Sequence, residues 1–109
     1  MNITIVKHTV DLGLDKQGKN VTATPNYFKD GELWKGERFQ IKSDKGEFRV
    51  KFDPWPFMET REENTVCKEE ELTLERSGEF KFYCYLTPTG ETRERGYGKN
   101  GGGHGIVRP

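Results

Sequence analysis

The sequence predicts an all-β domain, either an antiparallel sandwich or a barrel, and three of its features support this prediction. Short runs that alternate apolar and polar side chains recur about every ten residues, with turn-forming residues between them. The period of roughly 3.6 residues that marks an amphipathic helix is nearly absent. Aromatic residues make up 12% of the chain, which favours strands over disorder. The length of 109 residues suits one domain, residues 1–109.

The first predicted strands lie near the start of the chain. Residues 2–10 alternate roughly, with Ile3 and Ile5 on one side, and two leucines that follow extend the apolar contacts. Residues 21–24 form a short run rich in β-branched side chains, which ends at a proline. The pair Asp30-Gly31 predicts a turn, because both residue types are common in tight turns.

Two alternating runs in the middle of the chain predict a β-hairpin. Residues 33–41 place Phe39 and Ile41 on one face of an extended chain. Residues 47–53 alternate more cleanly, with three apolar side chains pointing inward and two basic side chains pointing outward. A short turn around Asp44 separates the runs, and we therefore expect them to pair with each other.

The segment Pro54-Trp55-Pro56-Phe57 ends the second run, because a proline has no N–H group to donate to a neighbouring strand. Its aromatic residues have two interpretations. They either cap one end of a sandwich core, or they form an exposed apolar patch with Met58 that docks a partner.

Residues 78–86 are the most informative predicted strand. Phe80, Phe82, Cys84 and Leu86 share one side of an extended chain, and a lysine and two tyrosines lie on the other. The buried face therefore includes a thiol. A glycine-rich segment follows it, and a last strand is predicted over residues 105–108.

Charge and hydropathy bear on the class of partner and on the compartment. The chain has 18 basic and 18 acidic residues, so its net charge gives no general attraction to nucleic acid or to anionic lipid. No apolar stretch approaches the roughly 20 residues that a membrane-spanning helix needs. No signal peptide precedes the first strand, so we expect a cytoplasmic protein, or a periplasmic or secreted one if a leader has been removed.

The order of these segments resembles the cupredoxin family. Four segments carry the resemblance: residues 33–43, residues 47–53, residues 78–84 and residues 105–107. Members of that family are small Greek-key β-sandwiches with a copper site at one end. The resemblance therefore implies a cupredoxin-like sandwich for this chain.

The resemblance also implies where copper ligands should stand, and the set is incomplete. A blue-copper site has two histidines, one cysteine and usually a weak axial methionine. Cys84 matches the place of the cysteine, but Phe48 or a neighbour occupies the place of the first histidine, and no methionine follows Cys84. His104 could serve from the ligand loop, whereas His8 lies outside the pattern.

Cys84 and His104 each have two interpretations. Cys84 is either a thiolate ligand or a small apolar residue of the core. His104 stands among glycines, and it is either a ligand that joins Cys84 on a soft metal such as Cu(I) or zinc, or a solvated surface residue. The other cysteine, Cys67, could bridge to Cys84 in an oxidising compartment or stay reduced.

These observations lead to a hypothesis of function with a rival. We expect a non-enzymatic binding module that needs no cofactor, with a protein partner docked on the Gly-rich segment 96–105 or on the Trp55 region. We expect no nucleic-acid partner. The rival is an atypical protein for copper handling or electron transfer that uses Cys84 and His104. A third alternative is a sandwich of an unrelated family that resembles cupredoxins by coincidence.

Overall fold

The computed structural model describes residues 5–96 and 102–109, which form two β-sheets around one hydrophobic core. The strands of this part of the chain are β1 (Lys7–Leu14), β2 (Val21–Thr24), β3 (Tyr27–Trp34), β4 (Arg38–Lys42), β5 (Gly46–Asp53), β6 (Thr65–Val66), β7 (Glu71–Thr73), β8 (Gly78–Pro88) and β9 (Gly102–Arg108). A short 3-10 helix, Glu62–Asn64, precedes β6. The prediction of an all-β protein is confirmed.

The two sheets are mixed, and the expectation of a purely antiparallel sandwich is wrong. The strand order is β2-β1-β4-β7 in the four-stranded sheet and β3-β9-β8-β5-β6 in the five-stranded sheet. Each sheet contains one parallel pair, β1 with β4 and β3 with β9, and its other pairs are antiparallel. Parallel neighbours arise because the chain leaves one sheet, passes through the other, and returns to the first sheet with a strand that runs in the same direction as its neighbour.

The predicted hairpin between residues 33–41 and 47–53 is also wrong. β4 pairs with β1 and β7, whereas β5 pairs with β8 and β6 in the other sheet. Both strands turn an apolar face to the same core, and Phe39 contacts Phe52 across it with ring centroids 6.0 Å apart. Alternation thus predicted which side chains are buried, but it carried no information about the neighbouring strand.

Two further local predictions were only partly right. Ile3 lies outside the described residues and Ile5 is 55% exposed, so the first strand begins later than predicted and buries Val10 and Leu12 instead. Asp30-Gly31 lies inside β3 rather than between two strands. The pairing of β3 with β9 shifts register there, and Gly31 has a φ of +96°, which favours glycine.

Aromatic rings dominate the core between the sheets. Phe52 is fully buried, and its ring centroid lies within about 6 Å of those of five other aromatic residues. These neighbours come from both sheets and from the segment after β5; they are Phe39, Trp55, Phe57, Phe80 and Phe82. The alternation of β5 and β8 therefore produces one continuous aromatic cluster.

The last strand begins at Gly102, three residues earlier than predicted, so part of the glycine-rich segment is strand. Two glycines of this strand are required because neighbouring atoms leave no room for a side chain. A Cβ atom at Gly103 would collide with the carbonyl oxygen of Asn26 and with the ring of Phe82, and one at Gly105 would lie 2.9 Å from the ring of Phe80. Within residues 5–96 and 102–109, no helix has the length and apolar character required to cross a bilayer.

Candidate functional site

Cys84 lies inside the core. It stands within β8 opposite Val50 of β5, and its side chain is fully buried. Burial raises the pKa of the Cys84 thiol from 9.0 to about 12, because a thiolate would lose its hydration in this apolar environment. The thiol is therefore protonated at neutral pH, and Cys84 packs as a small apolar residue.

His104 lies on the solvent-facing side of the five-stranded sheet. It is exposed in β9, opposite Lys81 of β8 and Tyr27 of β3. Its imidazole contacts the ring of Tyr27, with centroids 4.5 Å apart and planes tilted by 53°. The histidine that the sequence analysis singled out thus belongs to an aromatic contact between two strands.

The structure does not bring Cys84 and His104 together. Directly paired residues share a face of a sheet, and His104 pairs with Lys81. Lys81 and Cys84 are three positions apart on β8, so their side chains point to opposite faces. In the part of the chain that the structure describes, no group of three or more His, Cys, Asp or Glu residues is arranged to hold a metal ion. Copper binding that uses Cys84 and His104 stays a prediction.

The place that the resemblance gives to the first histidine ligand is apolar. Phe48 packs against the core in β5 and stands opposite Leu86 of β8. A polar cleft of about 560 Å³ opens nearby, between the turn after β4 and the end of β8. Its lining includes Asp44, Glu47 and Glu91 but neither histidine nor cysteine.

Both cysteines of the chain are free thiols, and they differ in accessibility. Cys67 is exposed and Cys84 is buried. Of the two alternatives for this pair, a disulfide bridge and a reduced pair, the structure contains the reduced pair.

We expect iodoacetamide to modify Cys67 but not Cys84 in the folded protein near neutral pH. The reagent needs an accessible thiolate, and Cys84 has neither access nor a charged form at that pH. Mass spectrometry should show one modified cysteine in native protein and both in denaturant. The variant C67S should remain unmodified when folded. Modification of folded C67S as fast as that of native Cys67 would contradict this description of the core.

Trp55 caps the core instead of forming an exposed patch. Its ring makes edge contacts with Phe52 and Phe57, at centroid distances of 5.8 and 5.0 Å, and its indole Nε1 donates a hydrogen bond to the carbonyl oxygen of Glu59 at 2.8 Å. Met58 is 58% exposed next to it. Because the indole is half-buried and its donor is occupied, the Trp55 region is a weak candidate for docking.

A different surface carries the exposed aromatic side chains. Among the described residues, the exposed tyrosine and tryptophan side chains are Tyr27, at 48%, and Trp34, at 43%. Both belong to β3, at the edge of the five-stranded sheet. Tyr27 pairs with His104 and Trp34 pairs with Arg108 on β9, and all four side chains point to solvent.

We call this surface the β3–β9 strip; it consists of Tyr27, Trp34, His104, Ile106 and Arg108. Ile106 lies on β9 between His104 and Arg108 on the same face, opposite the exposed Glu79 of β8. His104 and Arg108, which stand at the two ends of the strip on β9, are four residue steps apart. A strand rises about 3.3 Å per residue, so these two backbone positions are about 13 Å apart.

Contacts around Trp34 and Arg108 hold one end of the strip in its orientation. The indole Nε1 of Trp34 donates a hydrogen bond to the carbonyl oxygen of Gly31 at 3.1 Å. The guanidinium of Arg108 lies over the Trp34 ring, 5.2 Å from its centroid, and pairs with Asp30 at 3.5 Å. The bulge at Gly31 thus supplies the acceptor that orients the indole.

The face that contains the strip has no excess of positive charge. The outward side chains of β5, β8 and β9 include four basic and three acidic residues: Arg49, Lys51, Lys81 and Arg108, and Glu47, Asp53 and Glu79. Two acidic residues from outside these strands pair with two of the basic ones. Glu94 accepts two hydrogen bonds from Arg49, at 2.8 and 2.9 Å, and Asp30 pairs with Arg108.

The sequence pointed to one residue of the strip and not to its aromatic rings. It identified His104 and the glycine-rich segment but assigned no role to Tyr27 or Trp34. Alternation about Phe28, which is buried, could have indicated that Tyr27 points outward. The turn predicted at Asp30-Gly31 concealed that both rings belong to one strand.

Comparison with known proteins identifies no relative of this chain, so the proposal of function depends on the geometry of the structure. No protein-family model matches this chain, and no curated protein is significantly similar to it.

Proposed function

We propose that this protein is a non-enzymatic binding module, built on a cupredoxin-like Greek-key sandwich, that recognises its partner through the β3–β9 strip. The strip shares His104 with the Gly-rich segment 96–105, one of the two predicted docking regions. Residues 97–101 of that segment lie outside the described residues.

The strand order supports the cupredoxin-like part of the proposal. The chain crosses repeatedly between the two sheets, so that β1, β2, β4 and β7 form one sheet and the other strands form the second. Each sheet has one parallel pair among antiparallel pairs. The strand with Cys84 lies in the middle of the five-stranded sheet, between β5 and β9. The apolar pair Phe48 and Leu86 supports a sandwich without a complete blue-copper site.

The observation that carries the binding proposal is the exposure of two large aromatic rings on one edge strand. Tyr27 and Trp34 leave 48% and 43% of their surfaces in water, although each has contacts that hold its ring in place. Tyrosine and tryptophan provide large contact areas at low conformational cost, which makes them frequent anchors of interfaces. Copper handling through Cys84 and His104 has no comparable support, because their side chains lie on opposite faces.

The proposal is tested by screening the protein against immobilised glycans, single-stranded oligonucleotides and peptides. We expect at least one of these classes to bind, and the double variant Tyr27→Ala/Trp34→Ala to lose that binding. Met58→Ala is the matched control, because Met58 is equally exposed and apolar but lies outside the strip. Absence of binding in all three classes, or binding that the double variant retains, would overturn the proposal.

A further inference from the structure

We infer that the β3–β9 strip binds a neutral oligosaccharide. This inference rests on the proposed function and adds the chemical class of the ligand. The shape of the strip, its charge and the polar groups beside its rings support it.

The shape of the surface suits a ligand that stacks on aromatic rings. The rings of Tyr27 and Trp34 project from the outer face of a sheet. An aromatic ring has a negative face, on which C–H groups with partial positive charge pack well. One side of a pyranose ring presents such C–H groups, whereas its hydroxyl groups point outward along the rim. A sugar ring therefore matches an exposed aromatic platform better than a branched apolar side chain, which fits a pocket.

The balance of charges on the face around the strip also supports a neutral ligand. A surface that binds a polyanion neutralises phosphates or carboxylates with an excess of lysine and arginine. On this face the basic residues are balanced by acidic ones, and Arg49 and Arg108 are paired with Glu94 and Asp30. The surface consequently attracts neither a nucleic acid nor an acidic glycan, and it suits a ligand without net charge.

The arrangement of polar groups along the strip also supports a sugar ligand. His104 contacts the ring of Tyr27, and the guanidinium of Arg108 lies over one face of the Trp34 ring, so each aromatic platform has a nitrogen donor next to it. Such donors can hydrogen-bond to the hydroxyl groups on the rim of a sugar that stacks on the remaining ring surface. Because the β9 positions paired with Tyr27 and Trp34 are about 13 Å apart, one monosaccharide is too short to contact both ends of the strip. A linear chain of several sugars spans them.

The test is isothermal titration calorimetry with three uncharged linear hexasaccharides, built of glucose, xylose and mannose. We expect at least one of them to bind, with an affinity that does not change between low and high salt, because no ion pairs form. Trp34→Ala and Tyr27→Ala should each weaken binding on the order of tenfold. Met58→Ala should bind like the native protein. Denaturant midpoints near the native value would show that the two aromatic variants fold.

The outcomes separate this inference from the proposed function. Binding of a neutral hexasaccharide that depends on both rings supports it. If a single-stranded oligonucleotide or a peptide binds through the strip and none of the three sugars does, the oligosaccharide inference is overturned while the binding module stands. If no probe binds at the strip, both are overturned.

Discussion

Replacing Phe52 by alanine is expected to lower the free energy of unfolding by about 3–5 kcal/mol, the usual cost of truncating a buried phenylalanine. Phe52 is fully buried and has ring contacts with residues of both sheets. The cavity would lie between Phe39 and Phe82, and a β-sandwich can collapse only slightly around it because its strands are held by their hydrogen bonds. Urea denaturation, followed by tryptophan fluorescence, would measure the loss.

Lys51→Ala is the matched control for this substitution. Lys51 is the preceding residue of β5, but its side chain is exposed on the other face of the sheet. Its truncation should change the free energy of unfolding by no more than about 0.5 kcal/mol. A loss below about 1 kcal/mol for Phe52→Ala, or equal losses for the two variants, would contradict the location of the core.

Gly103→Ala is expected to have a comparable effect, with a loss of roughly 2–4 kcal/mol from overpacking and from a broken hydrogen bond. A methyl group there would overlap the carbonyl oxygen of Asn26 and the ring of Phe82. The same carbonyl accepts a hydrogen bond from the backbone N–H of His104 at 3.0 Å. Relief of the overlap would push the start of β3 away from β9, and would thereby separate Tyr27 from His104.

The control for this variant is Gly13→Ala, another glycine within a strand. A Cβ atom at Gly13 would lie 3.4 Å from Oγ1 of Thr22, an ordinary contact. We expect its stability to stay within about 1 kcal/mol of the native value, since alanine also restricts the unfolded chain. Comparing the denaturant midpoints of Gly103→Ala and Gly13→Ala tests this prediction. Equal midpoints would show that β9 does not pack against Asn26 as described.

Prediction from the sequence succeeded where the physical cause is local. Phe80, Phe82 and Cys84 are buried as the alternation of β8 indicated, because successive side chains of a strand must point to opposite faces. The same reasoning failed for Asp30-Gly31. A glycine with positive φ suits a turn and a bulge equally well, and only the pairing of β3 with β9 distinguishes them.

The candidate site was less predictable than the fold, because its residues are distant in the chain. Trp34 meets Arg108, and Tyr27 meets His104, only because β3 runs parallel to β9. A parallel pair requires a long connection, so no short-range pattern announces it. Net charge was similarly uninformative about the strip, since it cannot tell which acidic residue stands beside which basic one.

The meaning of Cys84 illustrates the division between sequence and structure. The unbroken alternation around this thiol was enough to assign it to the apolar face of a strand. The pairing of strands was needed to show that His104 lies on the opposite face of the same sheet, and that its neighbour is Tyr27. The physical reason is that a strand's own pattern specifies its two faces, whereas its place in the sheet depends on how the whole chain buries its aromatic core.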